Sequence, residues 1–253
     1  MKQKNKTSWG KVANWYEGML EEKNSFQSQV ILPNLLRLMN IQKNEQVLDL
    51  ACGTGFFSNV FLKEGAHVHG VDIGKELIEI AEQNSPGDIV YTIASADKIP
   101  HIKMNSVDKL ALILAIQNIE NVGGVFAECS RVLKKTGTIF VVLNHPNYRI
   151  PKASEWGWDE KTQTEYRRVD KYLSESKIAI DMHPGEKTKT KTISFHRPLQ
   201  YYFKQLSKNN LAVTRLEEWI SHRQGPKGKR FAASERARKE IPLFLFLEIR
   251  KIN

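Results

Sequence analysis

At 253 residues, 41% of them hydrophobic, the chain is long enough to bury a core as one large α/β domain. Its formal net charge is +10, and no uninterrupted apolar stretch approaches the ~20 residues of a membrane-spanning helix, which excludes that class. The basic start, MKQKNKTSWGKVANWYEG, lacks the apolar run of a secretion signal, and Cys52 and Cys129 sit in no metal-ligand spacing, so a cytoplasmic protein without a bound metal is expected.

The stretch SQVILPNLLRLMNI (28–41) carries apolar residues near helical spacing and predicts a helix. EQVLDLA (45–51) is almost wholly apolar, as a strand buried on both faces of a parallel sheet should be. A helix over 55–65 follows and ends at Gly65, then a strand over 67–73 and a helix over 75–84. Strands are expected over 89–96 and 107–116, a helix over 122–137 closed by Gly137, and a fifth strand over 138–145. This alternation of strand and helix implies a doubly wound α/β sheet. His67 and His69 share one face of the second strand and find no third ligand at a useful spacing, so they are expected to pack beside the sheet.

After residue 145 the alternation stops. PNYRIPKASEWGWDEKTQTEYRRVDKYL shows no clean period, whereas YLSESKIAID and KTKTKTISF can pair as a hairpin. A helix over 197–210, a strand AVTRLEEWI, a basic loop SHRQGPKGKR and a last strand LFLFLEIRKI complete the chain. The expected organisation is a single domain over 1–253: a helical cap (1–44), a core (45–145), an insertion after the fifth strand (146–200) and a closing helix with the last strands (201–253). The first 145 residues hold 15 basic and 15 acidic side chains, so the whole positive excess lies in the back half. That half either faces an anionic partner, nucleic acid included, or is a solvated surface.

VLDLACGTGFFSNVF (47–61) carries the chemistry. A strand ending in Gly53-x-Gly55 at a helix start makes a tight turn where a ligand can meet bare backbone. Dinucleotide enzymes have a third glycine three residues on, and here that position is Ser58. Asp49 inside the strand would repel a pyrophosphate and suits a ligand bearing an ammonium group. Asp72, closing the second strand, can accept both hydroxyls of a ribose. Each acid also has a plainer reading: Asp49 and Asp72 as caps, Asp97 as an ordinary turn acid.

With these residues in place, VLDLACGTGFFS resembles the first motif of class I S-adenosylmethionine-dependent methyltransferases of the small-molecule "methyltransferase type 11" kind. GVDIGKELIEIA and ASADKIP resemble their second and third motifs, and the likeness covers 30–145. The resemblance implies a doubly wound, mostly parallel seven-stranded sheet and S-adenosylmethionine as cofactor. It places Asp49, Ala51, Cys52, Gly53 and Gly55 at the cofactor turn and Asp72 on the ribose. Ile73, Ala96, Asp97 and Ile116 would surround the adenine, Asp97 taking its amino group. Tyr16, in an N-terminal aromatic segment, is suited to fold over the cofactor or to pack in a helix. Many members carry glycine where this chain has Ala51.

Methyl acceptors should meet the loops after the fourth and fifth strands and the insertion. A small-molecule acceptor is expected at an O, N or C nucleophile; RNA or protein methylation and a non-catalytic cofactor-binding protein are the alternatives. His145, at the end of the fifth strand, is the candidate general base or a residue securing the insertion, and His196 is its rival. Arg149, Trp156 and Trp158 follow closely enough to wall a substrate pocket with an anion-binding fork.

Overall fold

The computed structural model describes residues 24–181, 191–225 and 227–252. A seven-stranded sheet runs in the order β10-β11-β5-β4-β1-β2-β3. Its strands are β1 (Gln46–Leu50), β2 (His67–Asp72), β3 (Val90–Ile93), β4 (Val107–Ile113), β5 (Leu133–Asn144), β10 (Leu211–Trp219) and β11 (Phe244–Lys251). The first five pair in parallel, whereas β11 runs antiparallel to both β5 and β10. The expected seven-stranded, mostly parallel sheet is therefore present.

Strand periodicity explains the layers. On β4, Leu110 and Leu112 join one core, while Ala111 and Ile113 join the other. The same alternation divides Ile139, Val141 and Leu143 of β5 from Phe140 and Val142. One face is covered by α4 (Val122–Val132) and α5 (Leu199–Lys208), through Phe126, Cys129, Tyr202 and Leu206. The other is covered by α1 (Leu32–Met39), entered through a π turn over Gln27–Ile31, and by α2 (Phe56–Lys63). The helix α3 (Lys75–Asn84) packs on β2 and β3 through Leu77, Ile78 and Ala81.

Gly65 follows the end of α2 with φ +91°, the left-handed stop the sequence implied. Gly137 does not close a helix. The helix ends at Val132, and Gly137 lies inside β5, where a Cβ would come within 2.9 Å of the Asp108 carbonyl oxygen on the neighbouring β4. That glycine serves strand packing, and its position after a helical pattern made it resemble a cap.

The insertion contains a hairpin that its sequence did not announce, β6 (Ser154–Asp159) against β7 (Thr164–Val169). The second hairpin, β8 (Ser176–Asp181) against β9 (Lys191–His196), is the one expected. A short helix α6 (Phe231–Glu240) precedes β11. Among the described residues no helix is long and apolar enough to cross a membrane.

Candidate functional site

The chain leaves β1 through two left-handed residues, Ala51 (φ 59°) and Gly53 (φ 58°), and enters α2 at Gly55 (φ 80°). A Cβ on Gly55 would collide with the Tyr91 hydroxyl, so this glycine is required by packing against β3 as well as by its φ. Gly53 donates its N–H to Asp72 Oδ2 at 3.0 Å, and Gly74 donates to Oδ1 at 2.8 Å. Asp72 thus fixes both the turn after β1 and the start of α3. Burial raises its pKa, and the amides of Gly74 and Gly53 oppose that rise. Each carboxylate oxygen retains lone-pair capacity beyond its one amide.

Asp49 lies behind this turn. It is 2% exposed, and its Oδ2 accepts a 2.6 Å bond from the Ser58 hydroxyl. Ser58 therefore uses the close helix–strand approach that a third glycine would otherwise serve. Desolvation, offset in part by Ser58, pushes the Asp49 carboxyl up to about 7. Cys52 is buried in the turn, and burial pushes its thiol well up, as an inert packing group.

A narrow cleft of ≈ 130 Å³ opens at the carboxyl ends of β1, β2 and β4, lined by Ala51, Gly53, Asp72, Ile73 and Leu77, with residues 113–115 and 118–119 closing its other side. Such a volume takes only part of a nucleoside, the rest lying outside it. The donor set nonetheless fits S-adenosylmethionine. A carboxylate stands ready for ribose hydroxyls, bare left-handed backbone flanks it, and Ile73, Leu77, Ile113 and Ile119 offer apolar walls to a flat ring.

Of the residues expected at the cofactor, Ala51, Gly53, Asp72 and Ile73 line this cleft, and Asp49, Cys52 and Gly55 build the turn behind it. Ala96 and Ile116 are buried in the core beneath. Asp97 accepts bonds from the Ser95 hydroxyl and from the Asn121 side chain, whose oxygen in turn caps α4 at Gly124. It ties a loop to a helix start and does not line the cleft. Tyr16 lies outside the described residues.

A second cavity of ≈ 520 Å³ adjoins the first, sharing Leu114 and Asn118 with it. Leu114 adopts φ 53°, a conformation costly for a residue with a Cβ, held by its N–H to the Val142 carbonyl at 2.7 Å. Gln117, Arg149, Ser154, Arg167 and Ser194 contribute to the far walls. Arg149, expected to wall a substrate pocket, lines this cavity. Leu114, Gln117, Asn118 and Arg167 were not singled out. Leu114 gives no sign in its side-chain type, and Arg167 falls in the stretch without a period.

For His145 the sequence left two readings open, a base and a residue securing the insertion. His145 is 1% exposed; its Nε2 lies 2.6 Å from Glu218 Oε1, and Asn147 N–H donates to Nδ1 at 3.2 Å. This pattern puts the proton on Nε2, donating to Glu218, and leaves neither nitrogen for an acceptor. Burial holds its pKa below the ordinary value despite Glu218. His196 bonds the Tyr172 carbonyl at 2.8 Å and is likewise buried. Neither histidine lines the cleft or the adjoining cavity, and the bonds of His145 accord with the fastening reading of the two that the sequence left open. Trp156 and Trp158 line a different cavity, with Lys227, Lys229 and Arg230. Trp156 still lies under Arg167, its ring centre 5.4 Å from the guanidinium carbon, while Arg230 covers Trp158 at 4.4 Å.

Comparison with known proteins agrees with this architecture. A methyltransferase-domain family profile matches residues 48–141. The demethylmenaquinone methyltransferase of Tropheryma whipplei (strain Twist) is 27% identical over 113 residues, 44% of this chain and 46% of that protein. The ubiquinone biosynthesis O-methyltransferase of Nitrosococcus oceani is 29% identical over 129 residues, 47% of this chain and 53% of that protein. The chain thus spans about half the length of the curated relatives it matches. A solved S-adenosylmethionine-dependent methyltransferase from Mesorhizobium loti superposes with a TM-score of 0.68 at 23% identity, covering 86% of this chain and 96% of that one. Residues 48–141 match a methyltransferase-domain family, and the chain has the class I fold of the solved S-adenosylmethionine-dependent methyltransferases.

Proposed function

We propose that this chain transfers the methyl group of S-adenosylmethionine to an O, N or C nucleophile of a small molecule held between the sheet and the insertion. The observation that carries the reading is the shared wall. Leu114 and Asn118 border both the cofactor cleft and the larger cavity, so a ligand in each would meet across that wall at the carboxyl end of β4. When bound, S-adenosylmethionine supplies a methyl on a positive sulfur, which leaves as a neutral thioether while the acceptor's lone pair forms the new bond and any acceptor proton passes to solvent.

The protein's part is positioning. Asp72, pinned by two amides, presents a carboxylate to ribose hydroxyls. The strained Leu114 backbone fixes the partition between the two ligands. The insertion hairpins close the acceptor side through Ser154, Arg167 and Ser194. The cavity's ≈ 520 Å³ suits a small molecule held whole.

The test is methyl transfer from labelled S-adenosylmethionine into a cell extract separated into small-molecule, RNA and protein fractions. Label in the small-molecule fraction is expected. Label confined to RNA or protein would replace this reading, and cofactor binding without transfer to any fraction would mark a non-catalytic protein.

A further inference from the structure

Among the described residues that line it, the acceptor cavity has two guanidinium groups, the Lys152 side chain and no carboxylate. Among the described residues, the Arg149 guanidinium makes no hydrogen bond or ion pair; its carbon stands 6.0 Å from the centre of the Phe244 ring. Arg167 gives Nε to the Tyr148 carbonyl (2.9 Å) and one Nη to the Ser154 hydroxyl (2.8 Å), both neutral partners. The acid that acts on Arg167, Glu155, lies across the β6–β7 hairpin and pairs at 3.5 Å with Arg168. Enclosure and the neighbouring Arg167 charge both lower the pKa of Arg149. Two like charges sharing a wall without a counter-charge are costly unless an anion joins them.

An independent observation points to a ligand in the same space. Gln117 is 8% exposed and lines the cavity; its Nε2 donates to the Leu114 carbonyl at 2.7 Å, and its Oε1 has no partner among the described residues. A buried acceptor left unmet calls for a donor. Arginine forks recognise planar or tetrahedral oxyanions better than any other side chain.

We propose that the methyl acceptor is an anion, its carboxylate, phosphate or sulfate group bound between Arg149 and Arg167, with a hydroxyl or amine on the same molecule donating to Gln117. The proposal rests on the neighbouring cleft being the S-adenosylmethionine site. It assigns a chemical class to the acceptor and gives Arg167, inside a hairpin without sequence pattern, a binding role.

Inorganic sulfate serves as the probe, with ionic strength held constant by sodium chloride and thermal stabilisation as readout. Binding of S-adenosylhomocysteine is titrated on the same samples. The wild-type protein should show saturable stabilisation by sulfate. Arg149→Gln should raise the half-saturating concentration about tenfold or more, Arg149→Lys should recover part of that loss, and Arg230→Gln, in the other cavity, should leave it unchanged. No saturable effect, or one that survives Arg149→Gln, overturns the proposal while S-adenosylhomocysteine binding leaves the methyltransferase reading standing. Loss of S-adenosylhomocysteine binding with sulfate binding intact strikes that reading instead. In the extract experiment, methyl label should be retained on an anion exchanger at pH 7; label in the unretained fraction would equally overturn it.

Discussion

The two cavities that meet at Leu114 and Asn118 are built from opposite kinds of sequence. The cofactor cleft comes chiefly from the ends of strands β1, β2 and β4 and the turns directly after them. The acceptor cavity draws on the π turn at Gln27, the segment after β4, the end of β5 and both insertion hairpins. The first is fixed by backbone: left-handed turn residues and a carboxylate holding two amides. The second is fixed by side chains reaching in from separate elements. Binding of the shared cofactor chemistry can therefore be written locally, whereas acceptor choice is a property of the assembled chain.

The sharpest way to break the comparison is Asp72→Ala. It removes the expected ribose acceptor and strands the amides of Gly53 and Gly74, each worth about 1–3 kcal/mol when buried and unmet. Cofactor affinity should fall about a hundredfold and the melting temperature should drop with it. A variant that melts like the wild type would show that Asp72 does not hold the turn, and unchanged affinity would show that the ribose lies elsewhere.

His145→Asn tests the other side. Its two hydrogen bonds join the start of the insertion to Glu218 on β10. About 1–3 kcal/mol of stability should be lost. Hydrogen exchange should quicken in residues 146–159, while affinity for S-adenosylhomocysteine stays within about twofold. Once an acceptor is known, a turnover loss of ~10²–10⁴-fold in a well-folded His145→Asn protein would restore the general-base role that the engaged nitrogens argue against.

Asp49 makes a prediction with a definite sign. Its carboxyl titrates at about 7 in the ligand-free fold and near 3.8 when unfolded, so the native state holds the extra proton between those values. Its contribution to stability is therefore best at low pH and declines as pH rises from about 4 to about 7, then levels off. Asp49→Asn keeps an acceptor for Ser58 and should remove that slope, stabilising the apo protein at pH 8 by about 1 kcal/mol or more. If the cofactor's ammonium acts on this acid, binding near pH 6.5 should release protons, seen as a buffer-dependent heat in calorimetry. Heats independent of buffer would detach Asp49 from the cofactor.

The smallest effect is at Ala51. Its φ of 59° costs about 1–2 kcal/mol for a residue with a Cβ, partly balanced by the greater unfolded-state freedom of glycine. Ala51→Gly should raise stability by up to about 1 kcal/mol, read by chemical denaturation, with cofactor affinity unchanged. Destabilisation would mean that the alanine methyl packs usefully in the cleft wall.

The sequence by itself determined the alternating core, the parallel sheet and the cofactor turn, because apolar periodicity, glycines in left-handed turns and an acid closing a strand act over a few residues. The meeting of Asp72 and Gly53 at one turn follows from such short-range signals. Asp97 was expected at the adenine from its spacing, and its bonds to Ser95 and Asn121, which tie a loop to a helix start, were not legible there. Gly137 resembled a helix stop, but the nearness of Asp108 on the adjacent strand is what requires it. The tertiary structure alone decided that His145 faces Glu218, 73 residues away, that Trp156 and Trp158 line a cavity with Arg230, and that Arg167 joins Arg149. Those outcomes depend on which distant side chain arrives to meet a charge or a hydrogen bond, and no local pattern in the chain records that meeting.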